Sequence, residues 1–161
     1  MISPDHLLFS YRWGIESFQR LTADVPDERM AEQPIEGINH PAWLIGHVSP
    51  YNDVIVALLR GVPFDNPWRT RYGKESSPTS DRGEYPSKDQ LIAELTAGYE
   101  RAAAAMAEAP RDAWTATFDH PEWGKQFDSV APAVTFLATT HLALHLGQLS
   151  GWRRAAGFPR V

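Results

Sequence analysis

Between Val130 and Trp152 the chain carries no Asp, Glu, Lys or Arg. The stretch is long enough to cross a bilayer, which takes about 20 residues. It also holds Pro132, Thr135, Thr139, Thr140, His141, His145, Gln148 and Ser150. A lone span with that polar load would be poor, and no membrane partner is expected. The better reading is a buried helix in a soluble bundle. A buried polar group without a partner costs about 1–3 kcal/mol, so His141, His145 and Gln148 must find something inside.

Three further helical patterns surround this one. The first runs from about Ser3 to Ala23, with Ser3 as N-cap, Pro4 in the first turn and Asp5 near the positive end of the dipole. Leu7, Leu8, Tyr11, Ile15, Phe18 and Leu21 recur on it at helical spacing. The second runs from Pro41 to Arg60, begins at Asn39 or His40 and ends at Gly61. Pro50 inside it is expected to produce a kink. The third runs from Ser87 to Ala109, opens with the capping box Ser87–Gln90 and stops at Pro110. The uncharged helix itself runs from about Ser129 to Ala156 and closes at Gly157.

No β-alternation competes with these patterns. The expected fold is all-α, a four-helix bundle of up-down type forming one domain over residues 1–161. Its two long connections are Val62–Pro86, read as lacking regular structure, and Pro110–Asp128, whose Trp114, Phe118 and Trp123 should pack down. Such long loops often wall a site.

Composition narrows the function. The 161 residues include no cysteine, which excludes a disulfide scaffold, a cysteine zinc finger and a thiol nucleophile. Net charge is −5, with no basic patch, so nucleic acid is not an expected partner. No signal peptide is evident at the start, and a cytoplasmic location is expected.

The informative residues are histidines. His141 and His145 are four apart, so they differ by about 40° around a helix axis and about 6 Å along it. Both imidazoles can reach one ion at that spacing. The alternative is a pair of core histidines bonded to the backbone or to each other. His47 strengthens the metal reading, because it lies midway along the second helix among Trp43, Leu44, Ile45 and Val48. Three neutral nitrogens with an open position make a catalytic rather than a structural type of metal site.

Other residues carry two readings each. Gln148 shares the histidine face and either orients a ligand histidine or bonds between helices. Trp43, one turn before His47, belongs to the core or walls a pocket. His40 caps the second helix or lines the site mouth, and Trp152 continues the His141–Gln148 face. His6 reads as a surface or capping residue, while His120 sits in a loop that can fold over the site. Arg153 and Arg154 suit the negative end of the helix dipole, or hold an anionic substrate. Tyr72, Arg69 and Arg71 invite the same guess.

Two segments carry a family resemblance. Asn39–Val48 (NHPAWLIGHV) and His141–Leu149 (HLALHLGQL), with Trp152–Pro159 (WRRAAGFP), resemble the DinB-like family, which includes damage-inducible proteins and bacillithiol and mycothiol transferases. The resemblance covers nearly the whole chain. It implies a four-helix bundle with a divalent metal on His47, His141 and His145, with zinc and nickel the leading candidates. It also implies a small-molecule substrate, with a low-molecular-weight thiol as one candidate, and a homodimer. Apolar residues on several faces of the last helix point to the same association.

The expected function is therefore a metal-dependent thiol transferase or hydrolase. No carboxylate falls on the histidine face, so no catalytic acid or base is assigned. That gap supports the alternative of a non-catalytic, stress-related metal-binding bundle. Metal affinity is expected to fall below about pH 6, because imidazole must be neutral to ligate.

Overall fold

The computed structural model describes residues 4–64, 67–73, 75–119, 123 and 126–161. Four long helices dominate: α1 (Pro4–Thr22), α2 (Pro41–Arg60), α4 (Lys88–Glu108) and α6 (Val130–Ala155). Two short helices lie between them, α3 (Arg69–Tyr72) and α5 (Arg111–Thr115). Among the described residues there is no strand, only the isolated bridge Thr117–Ser129. The fold is the expected all-α bundle. By their principal contacts the long helices run α1, α4, α2, α6 around it.

Local chemistry accounts for the helix ends. His40 rather than Asn39 caps α2, its Nδ1 accepting from the Trp43 N–H at 3.2 Å. Gly61 closes α2 at φ +62, a backbone conformation that L side chains rarely adopt. Both bonds of the Ser87–Gln90 capping box are made, at 2.9 and 3.2 Å. Ser129 caps α6 by position only, without a side-chain bond. Ser3 lies outside the described residues. α2 runs through Pro50 as one helix.

α2 is the central helix. Fifteen of its 20 residues are buried, including every residue from Pro41 to Pro50. On the α1 side the Tyr11 hydroxyl donates to Asn52 Oδ1, and Asn52 Nδ2 reaches the Leu95 carbonyl at 3.5 Å. α6 buries Val130, Val134, Leu137, Leu142, Leu149 and Trp152 against α1 and α2. Leu144 on its outer side is 58% exposed, so the helix is covered on one side rather than all round. Among the described helices, α6 alone is long and apolar enough to cross a membrane by length and composition.

The connections hold more structure than expected. Val62–Pro86 includes α3 and a 3₁₀ turn, Arg82–Glu84, and buries Tyr72 and Tyr85. Residues 110–129 include α5 and bury Phe118, which stacks on Trp123 at 6.0 Å. That aromatic surface packs down as expected.

Candidate metal centre

α2 and α6 bring three histidines together. The imidazole Nε2 atoms of His47 and His145 each lie 3.2 Å from Nε2 of His141. Ring centroids are 4.5–5.2 Å apart across the three pairs. α6 does not present its two histidines on a plain α-helix. Over Leu137–His141 it widens into a π turn, which ends at the first of them. A π turn holds an extra residue and re-aims the downstream face by roughly the 100° of one residue.

Hydrogen bonds fix two of the rings. His47 Nδ1 lies 2.6 Å from the Tyr72 carbonyl, and His145 Nδ1 lies 3.0 Å from Gln148 Oε1. Asn39 Nδ2 donates to the same Gln148 oxygen at 3.2 Å. With Asn39 donating to it, the Gln148 oxygen is the end of the amide assigned to face the ring. Both acceptors are oxygens, so both Nδ1 atoms carry the proton and both Nε2 atoms present lone pairs.

Those lone pairs point at one place. His141 Nε2 has one proton at most to offer two acceptors, and His141 Nδ1 is buried with no partner. A neutral triad is thus short of donors at its centre, and a cation is one group that can satisfy all three. Ligands at about 2.0–2.1 Å from a tetrahedral ion lie about 3.3 Å apart; the two pairs through His141 are at 3.2 Å, and all three ligand atoms lie within 4.8 Å of one another. The donor set suits a divalent transition metal.

Burial favours the ligating form. Desolvation lowers His47 to about 4, helped by its neighbour His145, and lowers His141 to about 3, helped by both of the others. His145 is lowered by the same cause, partly offset by Gln148. His47 and His141 are therefore neutral well below the usual imidazole range, and the His145 pKa is shifted in the same direction.

An aromatic box surrounds them. Trp43 is buried and stacks on His47 at 4.9 Å and 8°, which joins its core and wall readings. The Tyr51 ring meets His141 at 4.3 Å and His47 at 5.3 Å, and stacks toward Trp123 at 6.0 Å. Phe136 closes another side of His141 at 6.1 Å. His141, which lacks a hydrogen-bonded orienter, is held by this packing.

The remaining candidates fall elsewhere. His40 is fully buried with both nitrogens engaged, by the Trp43 N–H and the Thr79 carbonyl at 2.9 Å, so capping explains it. Trp152 is fully buried too, but donates to the Glu32 carbonyl at 2.7 Å and stacks on Phe158. Neither ring meets the triad. Arg153 is buried and bonded to Asp24 and to the Leu21 and Pro159 carbonyls, which makes it a tie rather than a substrate anchor. Tyr72 acts through its backbone carbonyl rather than as an anion contact. His6 is exposed, and His120 lies outside the described residues. Sequence reasoning missed Tyr51, Asn39 and Phe136. Tyr51 was within reach of it, four residues after His47 and eight after Trp43 on one stripe of α2.

Comparison with known proteins agrees with this architecture. The crystal structure of the mycothiol-dependent maleylpyruvate isomerase is similar, with a TM-score of 0.64 at 18% identity. The likeness covers 92% of this chain and 61% of that one, and at such identity it speaks to the fold. No curated protein matches the chain by sequence. The family model described as the DinB superfamily matches residues 10–149, and the chain belongs to that superfamily.

Proposed function

We propose that the chain is a metal-dependent enzyme that acts on a small molecule, with the ion held by His47, His141 and His145. The observation that carries this reading is the convergence of three Nε2 atoms whose lone pairs have too few protons between them. An ion on neutral ligands keeps its full charge and acidifies a thiol or water that meets it. The protein's own part is to orient and to dry the site. Tyr72 and Gln148 hold two rings in the ligating tautomer, and Trp43, Tyr51 and Phe136 exclude solvent around them. Three protein ligands leave room for a reactant.

Thiol transfer is the reaction class that fits best, with hydrolysis next. The support is superfamily membership together with a structural neighbour that depends on mycothiol. Zinc and nickel are the proposed ions, and a low-molecular-weight thiol is the proposed co-substrate. A single-domain, cytoplasmic homodimer is part of the same proposal. Exposed Phe9, Trp13 and Leu144 offer apolar surface for self-association.

One observation favours a non-catalytic metal bundle instead. Among the described residues, no carboxylate bonds to the three rings. One experiment separates the two. Cobalt-loaded protein is titrated with a small thiol and its near-ultraviolet spectrum followed. A sulfur-to-cobalt charge-transfer band supports the enzyme reading. Cobalt binding without that band favours the bundle whose ion fastens α2 to α6. Failure of zinc, nickel and cobalt to bind at all overturns both.

A further inference from the structure

The loop that anchors His47 also walls a cavity. Its volume is about 860 Å³, inside the range of about 300–1,000 Å³ typical of small-molecule sites. It lies between α2, α4 and the α2–α4 connection, and among the described residues no histidine lines it. Gly46, Ser49, Pro50 and Asp53 face it, on a stripe of α2 turned about 100° from that of Trp43, His47 and Tyr51. The Tyr72 ring lies on Gly46, where a Cβ would sit 2.5 Å from it, and so stands beside the helix that carries His47.

Three features of the lining specify a ligand. Its floor is apolar and aromatic, built from Pro50, Trp68, Tyr72 and Leu91. Its charge is one-sided among the described residues: Asp53 and Glu94 line it, and no described Lys or Arg does. Both carboxylates share one guanidinium, that of Arg101, at 2.9–3.1 Å, which leaves one negative charge in excess. Finally, Tyr72 is 5% exposed and its buried hydroxyl has no hydrogen-bond partner; burial raises its pKa, and the nearby Arg71 guanidinium offsets this in part. That hydroxyl is a polar atom a ligand can meet.

We propose that this cavity binds a small aromatic ammonium compound, separately from the histidine centre. The rings lie against Trp68 and Tyr72, and the ammonium lies at the Asp53–Glu94 end. Aromatic faces and carboxylates both attract such a cation.

Three matched probes test this by calorimetry and protein-observed NMR: 2-(2-naphthyl)ethylamine, the corresponding alcohol, and 2-naphthylacetate. The expected order is amine, then alcohol, then carboxylate, with the amine at least tenfold tighter than the carboxylate. Shifts should fall on the Trp68 indole and Ala97 amide. Ala93→Trp, which places a bulky ring among the lining residues, should weaken the amine more than tenfold. Glu94→Gln, on an exposed helix face, should narrow the amine-over-alcohol preference about threefold, as an exposed ion pair allows. His141→Ala should leave amine affinity unchanged, since His141 does not line the cavity. The proposal is overturned by a carboxylate that binds as tightly as the amine, or by absence of saturable binding at millimolar amine. Amine affinity that disappears in His141→Ala, or that keeps its preference in Glu94→Gln, overturns it as well.

Discussion

At the scale of single residues, the centre works through tautomers. Gln148 is exposed, yet its oxygen accepts the His145 proton while Asn39 holds the amide in place. Gln148→Ala should lower metal affinity about 10- to 100-fold with little change in the apo melting temperature. A chelator competition titration reads this, and unchanged affinity would remove Gln148 from the site. The pH dependence follows from the lowered histidines. Near pH 7 the rings are neutral both folded and unfolded, so they add no pH dependence. Below about 6.5 the unfolded chain gains protons that buried His40, His47 and His141 refuse until about pH 3–4. Stability of the apo protein should therefore fall steadily from about pH 6.5 toward 4, as acid titration followed by circular dichroism would show. For metal the same shift has another effect. With His47 and His141 still neutral near pH 5 and His145 lowered as well, affinity should be lost at a lower pH than the value of about 6 expected of unperturbed imidazoles.

At the scale of elements, the four long helices were legible because their signals are local. Proline at a first turn, Gly61 and Gly157 at ends, and Ser87 with Gln90 act over three or four residues. The histidine pair was legible for the same reason. Less of the surrounding site was, because its parts meet only in three dimensions. Nothing near Tyr72 in sequence announces that its carbonyl serves a ring 25 residues away. The π turn is also hidden, since Thr139 and Thr140 read as ordinary helix positions. Trp152 shows the opposite error: it shares a motif with the ligands but hydrogen-bonds elsewhere, while His40 takes the capping role of its first reading. Gly46 sits where α2 and the loop touch. Gly46→Ala would place a carbon 2.5 Å from the Tyr72 ring and force the loop outward. Such overpacking should cost about 1–3 kcal/mol in thermal unfolding. It should also weaken metal binding, because the carbonyl facing His47 moves with the ring. Destabilisation with full metal affinity would show that Tyr72 can yield without disturbing His47.

At the scale of the whole molecule, two ties hold distant parts of the chain together. One is Arg153, which joins the end of α6 to the end of α1 through Asp24 and the Leu21 carbonyl, at a sequence separation of about 130 residues. Arg153→Met removes its hydrogen bonds while keeping much of its bulk. It should cost about 1–3 kcal/mol in denaturant unfolding, whereas Arg154→Met on the exposed side should cost little. The other tie is the histidine centre. His47 and His141 are 94 residues apart. An ion shared between them would close a ring of chain that takes in the α2–α4 loop, all of α4 and α5. A covalent cross-link that closes a loop of about 100 residues is worth about 4.7 kcal/mol in unfolded-state entropy by the chain model. This chain has no cysteine with which to make one. A coordinated ion would supply the same restraint in a form that a chelator or acid can open. It would act as a removable staple whose strength the cell's metal supply sets.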